Sequence, residues 1–190
     1  MKQLFSTLLL FIISYFSFAQ KPCEIDANVK DSLGSFKSTK QCIVYERSFA
    51  GNSTHLYFSL INSNGVLGID MQHLKRSNEF MKANCLDKNS KMYLQLNNGK
   101  IITLLYSGSD SCGSLVYDDN KKGNRILSGT FVFTKENFEE LEFSPVSIMR
   151  IKFADETIDY AFKSELVSEL DKIKYHPEKY FMDYLKCIKD

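Results

Sequence analysis

The chain predicts an α+β fold that is mainly antiparallel β: a hairpin-built sheet, either a sandwich or a curled half-barrel. Three observations predict it. Runs of strand length with alternating apolar and polar residues meet at short turns, as in "KMYLQLNNGKIITLLY" and "IMRIKFADETIDYAF". The chain holds 15 Phe and 10 Tyr but no Trp, side chains that suit a pleated, half-buried surface. Helical signals are confined to a short run near 135–143 and to the C-terminal stretch 164–188.

The first element is a leader. Met1-Lys2 is followed by an apolar run over 8–18, and Ser17-Phe18-Ala19 supplies the small residues that a signal peptidase reads. Residues 1–19 are therefore expected to be a cleaved signal peptide and 20–190 a single β-rich domain. The run is too short for a retained membrane span. A lipid anchor on Cys23 is rejected, because Gln20 and Pro22 stand where an apolar and a small residue are needed. Of 24 basic and 23 acidic residues the leader removes only Lys2, so the mature chain has 23 of each and no net charge. Lys, Glu and Asp alternate along it without the basic stripe of a nucleic-acid binder.

The clearest hairpin is 91–106. Asn98-Gly99 suits a two-residue type I′ turn, which sets Met92 opposite Leu105, Leu94 opposite Thr103 and Leu96 opposite Ile101. The other face then carries Tyr93, Ile102, Leu104 and Tyr106. Extended outward, the same register sets Cys85 opposite Cys112, and a disulfide between them is expected. Closing that loop contributes roughly 3–4 kcal/mol in the chain-entropy description. In a second hairpin, 148–162, a turn at Asp155-Glu156 gathers Met149, Ile151, Phe153, Ile158, Tyr160 and Phe162 on one face and sets Lys152 opposite Asp159. "LYFSLINSNGVLGI" adds a strand–turn–strand unit around 62–65, and "CIVYE" and "GTFVFT" add single strands.

Helices are fewer. Thr134 is placed to cap a short one, "KENFEELEF", that Pro145 ends. The stretch 164–188 reads as helix broken at His176-Pro177, with Phe181, Tyr184, Leu185 and Ile188 on the face that lies on the sheet.

Few residues gather for chemistry. Five cysteines (Cys23, Cys42, Cys85, Cys112, Cys187) allow two bridges and leave one over, with the pairing of Cys23, Cys42 and Cys187 open. No cysteine pair has zinc-knuckle spacing, and His55, His73 and His176 are scattered, so no metal or cofactor site is expected. "YSGSDSCGSLVY" approaches a nucleophile elbow, but Ser109 stands where the first glycine belongs and no helix follows Ser111. "DDNKKGN" begins like a calcium loop, yet Lys122 and Gly129 occupy ligand positions, so a solvated loop is expected.

The segments "KDSLGSFKSTKQCIVYE", "KMYLQLNNGKIITLLY", "FTKENFEELEFSPVSIMRIKFADETIDYAF" and "YFMDYLKCI", in that order, resemble a family of small secreted or periplasmic Bacteroidota proteins of unknown function. The resemblance spans most of the mature chain and departs at Asp155-Glu156, where Asp-Gly is more usual. It implies export and the fold, and carries no catalytic residue. Two short patterns accompany it: Asn52-Ser53-Thr54, an N-glycosylation acceptor, and Asp31-Ser32-Leu33, which resembles an O-glycosylation site.

The leading functional expectation is an exported, non-catalytic β-rich domain, periplasmic or extracellular, that binds or supports something at the cell envelope. Its partner is a protein or a small apolar ligand, with no nucleic acid and no membrane span. One alternative is a lipocalin-like carrier of an apolar ligand, suggested by the mixed face of the 91–106 hairpin. A second is an inhibitor or immunity-type protein, which needs only a shaped surface.

Overall fold

A computed structural model describes residues 21–134 and 138–189. The expected leader and its cleavage site lie outside them. Fifteen strands follow in order: β1 (Ile25–Asp31), β2 (Gly34–Thr39), β3 (Cys42–Phe49), β4 (Asn52–Ser63), β5 (Val66–Ser77), β6 (Cys85–Leu86), β7 (Lys91–Leu96), β8 (Ile101–Tyr106), β9 (Ser111–Cys112), β10 (Ser114–Tyr117), β11 (Gly123–Phe133), β12 (Val146–Lys152), β13 (Thr157–Ala161), β14 (Leu166–Val167) and β15 (Lys174–Tyr175). Eleven of them form one antiparallel sheet with the path β1-β2-β4-β5-β11-β8-β7-β12-β13. β3 branches from β4, and β10 from β11.

Three long strands, β4, β5 and β11, form the spine. β4 and β5 owe their length and register to Asn64-Gly65, which takes φ 52° and 83° and turns the chain in two residues between Ser63 and Val66. Positive φ at both central positions is the type I′ geometry that matches strand twist. The sheet is not closed, but it curls: Tyr45 of β3 meets Tyr160 of β13 with ring centroids 5.0 Å apart, although six strands separate the two in the sheet. Inside the curl, Phe58, Leu60, Ile69, Met92, Leu94, Phe131, Ile151 and Phe153 are all essentially without exposure. Each such side chain contributes about 1.5–3 kcal/mol by leaving water.

The open end of the curl is filled from the C-terminus. A 3₁₀ turn (Pro177–Lys179), a five-residue helix α1 (Tyr180–Tyr184) and a second 3₁₀ turn (Leu185–Cys187) bury Tyr180, Phe181 and Leu185, and Ile188 beyond them. The Tyr180 hydroxyl donates to the Phe58 carbonyl (3.2 Å), and Asn62 Nδ2 donates to the Ile188 carbonyl (2.8 Å). Both bonds join the last segment to β4.

Three elements differ from expectation. Residues 164–175 are not helical: β14 and β15 form a small separate hairpin there. Its sequence favours local turns, because the Ser168 hydroxyl accepts from Leu170 N–H (3.1 Å) and the Asp171 carboxylate from Ile173 N–H (2.9 Å). These side chains take the backbone donors that a helix would use. The run near 135–143 is a 3₁₀ helix over Phe138–Glu142; residues 135–137, which Thr134 was expected to cap, lie outside the described ones. Thr134 Oγ1 donates instead to the Thr103 carbonyl (3.1 Å).

The third difference is register. In the 91–106 hairpin Asn98 lacks positive φ and Gly99 has φ 84°. Leu96 pairs with Lys100 across a three-residue loop, and Gly99 N–H returns to the Leu96 carbonyl (3.0 Å). Met92 therefore faces Leu104, and Leu94 faces Ile102. A slip of one residue exchanges the faces of the second strand. Ile102 and Leu104 enter the core with Met92 and Leu94, while Ile101 is 61% exposed. The hairpin at 148–162 slips by two, turning at Ala154-Asp155, with Phe153 N–H bonded to the Glu156 carbonyl (2.8 Å). A slip of two keeps the faces. Met149, Ile151, Phe153, Tyr160 and Phe162 are buried as expected, but Asp159 pairs with Arg150, not Lys152, through two bonds of 2.6 and 2.7 Å.

Candidate functional site

Cys85 and Cys112 are joined by a disulfide, with Cα atoms 4.1 Å apart. β6 and β9 pair around it as a two-stranded ladder. Its register is one residue out of step with that of β7 and β8, and the extra residue lies between Tyr106 and Ser111. The second bridge, Cys23–Cys187, spans 164 positions and fastens the two ends of the domain. Cys42 is free. Burial pushes its thiol up to about 12, so it is not a ready nucleophile.

Ser111 pairs with Leu86 beside the bridge. The groove it lines, shared with Asp70, Gln72, Ser128 and Thr130, has no histidine in its wall. Asp118, at the start of the calcium-like loop, accepts from the N–H groups of Asn120 and Lys122 and pairs with Arg76, so its oxygens are committed within the protein. Among the described residues no group of three or more potential metal ligands converges. The face that suggested an apolar carrier does not exist as expected: Ile102 and Leu104 belong to the core, away from Tyr93.

The arrangement that stands out lies on the outer side of β3 and β4. Ala50-Gly51, with φ 48° and 79°, turns β3 into β4 and sets Glu46 opposite His55. A positive φ costs alanine roughly 1–2 kcal/mol, strain of the kind that collects at functional sites. Both side chains are only 4% exposed, and His55 Nε2 stands 3.7 Å from Glu46 Oε1. That is too long for a hydrogen bond. Oε1 instead accepts from the backbone N–H of Glu169 (2.9 Å), in the loop between β14 and β15.

Glu46 Oε2 and His55 Nδ1 are buried without a partner, and so is Arg76 Nε of β5. An unsatisfied buried polar atom costs about 1–3 kcal/mol, more when charged. All three residues line one cleft of about 470 Å³, whose walls also include Phe49, Lys122 and Glu169. Lys122 Nζ donates to the Gly51 carbonyl and so holds the strained turn. Burial lowers the pKa of His55, opposed by the charges of Glu46 and then Glu169. The cleft thus presents a neutral imidazole beside a carboxylate, with the cations Arg76 and Lys122 also in its lining.

In the sequence His55 reads as one of three scattered histidines. The available signal was "CIVYERSFAGNSTHLYF", two β-rich runs about Ala50-Gly51, which puts Glu46 and His55 at equal distance from the turn. Comparison with known protein families, with curated proteins and with solved structures returns no match.

Proposed function

We propose that this is an exported, non-catalytic binding domain of the cell envelope, and that it takes its ligand at the Glu46–His55 cleft. The observation that carries the reading is the convergence there of three buried polar atoms without partners. Native proteins pair nearly all such atoms, and exceptions mark places where something else supplies the partner. Export is supported by the leader-like N-terminus and by two disulfides, which persist in oxidising compartments. No helix among the described residues is long and apolar enough to cross a membrane. The resemblance to small secreted Bacteroidota proteins points the same way.

Native mass spectrometry of protein taken from its host's envelope fraction, beside a denatured intact mass, tests the reading. The expected result is an added mass that disappears on denaturation and is missing from a Ser53→Tyr variant, whose new ring fills the cleft. An adduct that survives the substitution places the site elsewhere. A bare chain in both proteins counts against a ligand-binding role.

A further inference from the structure

We propose that the loop between β14 and β15 is a gate over the cleft, held shut by the Glu169–Glu46 hydrogen bond and released when His55 takes a proton. The inference rests on the binding reading above and concerns how that site is opened. In the shut state Glu46 Oε2 and His55 Nδ1 are out of reach of water and unpaired. A ligand contacts them only after the loop has moved. The carboxylate oxygen that opening uncovers accepts hydrogen bonds, so the arriving group is a hydroxyl or an amine.

The strap is built to move as a unit. Its base is fastened by the Leu166 side chain, which is buried, by a Glu165–Lys174 ion pair (3.0 Å) and by His176 Nδ1 bonded to the Ser164 carbonyl (2.8 Å). The loop closes on itself, Ser168 N–H to the Ile173 carbonyl (3.0 Å) and Lys172 N–H to the Ser168 carbonyl (3.1 Å). Val167, Leu170 and Ile173 are each more than half exposed, so little apolar surface holds the tip down. Segments with few buried apolar contacts open most readily. The Glu169–Glu46 bond ties the tip to the sheet.

The charges around His55 fix the direction. Glu46 faces it from β3 and Glu169 from the strap, Tyr57 stacks beside it on its own strand, and Arg76 and Lys122 also line the cleft. In the shut state burial outweighs the two carboxylates and disfavours imidazolium. Once the loop lifts, water solvates the ring and an ordinary imidazole pKa near 6.5 returns. The open state therefore binds the proton more strongly, and acid favours opening. The opening constant rises as pH falls through the ordinary imidazole range, by less than about tenfold per pH unit.

Amide hydrogen exchange on the intact, oxidised protein at pH 7 and pH 5, corrected for intrinsic rates, reads this without any ligand. Amides of 168–173, Glu169 above all, are expected to lose protection roughly severalfold at pH 5. His55→Gln is expected to abolish that step while leaving the slower-exchanging amides of β7 and β8 protected as in the parent. His55→Asn is a second variant with the same expectation should the first fold poorly. Glu46→Gln removes a charge that favours imidazolium, so any remaining step moves to lower pH. Equal strap protection at both pH values, or a parent-sized step in the histidine variants, overturns the gate. A bare native mass spectrum leaves this result untouched, so the two readings fail separately.

Discussion

His55 and His73 lie on neighbouring strands, on opposite faces of one sheet, and both are all but shut off from water. They differ in their surroundings. His73 points into the curl, stacked on Phe153 with centroids 5.9 Å apart and with the Tyr160 hydroxyl 3.5 Å from Nε2. Those neighbours belong to the far side of the folded-over sheet. His55 shares its cleft with Glu169 and Leu170 of a two-stranded strap, whose tip is mostly exposed. Burial lowers both pKa values, that of His73 to about 3 with a smaller push from Lys75. A proton reaches His73 only by dismantling the curl, whereas a lifted loop admits it to His55. The same chemical perturbation thus belongs to global stability in one place and to local opening in the other.

The comparison can be broken or sharpened at several points, the largest first. Replacing Cys85 and Cys112 together by serine frees a loop of 27 positions and is expected to lower global stability by about 3.5 kcal/mol, read by denaturant unfolding. Strap exchange at pH 7 should not follow. A parallel change there would mean that strap and core open together. His73→Ala leaves a hole in the packed interior and is expected to cost about 3 kcal/mol by the same measurement, again without loosening 168–173.

Acid gives the next effect. His73 has a folded pKa below its unfolded value, so the unfolded chain binds the extra proton. The stability from its neutral burial is fully present above about pH 6.5 and is lost as pH falls towards 3. Between pH 7 and pH 5 the loss is about 2 kcal/mol, and His73→Phe should flatten that part of the profile. His55→Gln is the smallest change. Local opening relieves any strain it introduces, so global unfolding should shift by no more than about 0.5 kcal/mol. A larger shift would make His55 a core residue like His73.

How much of this was legible in the sequence depended on parity. The antiparallel class, the main hairpins and the inward-facing Phe181, Leu185 and Ile188 followed from local pattern, whereas the buried Tyr180 did not. Two Asn-Gly pairs show where pattern ends. Asn64-Gly65 makes the two-residue turn that the dipeptide favours, while Asn98-Gly99 is drawn into a longer loop by its neighbours. There the Asn97 N–H bonds to the Pro145 carbonyl (2.9 Å), and Asn98 Nδ2 and Lys100 Nζ both reach Glu140. Those partners arrive from 40 or more residues away, and no local window contains them. The resulting one-residue slip exchanged the faces of β8, whereas the two-residue slip at Ala154-Asp155 left the core of its hairpin intact. The Cys85–Cys112 bridge was reached through a register that the intervening loops quietly correct. The cleft was illegible for a related reason: Glu46 and His55 are paired by a turn, but the strap that bonds Glu46 and completes the cleft wall lies more than 100 residues further on.

The bridge between Cys23 and Cys187 turns nearly the whole domain into a covalent ring. A chain pulled by its two termini would transmit tension through the clasp and leave the sheet inside slack. Under force the stretch between the two cysteines would not lengthen. A single peptide-bond cut within any loop would leave one molecule of nearly unchanged mass. The same ring sets an order of assembly, since Cys187 follows every strand of the sheet and the clasp cannot close until all of them have been made.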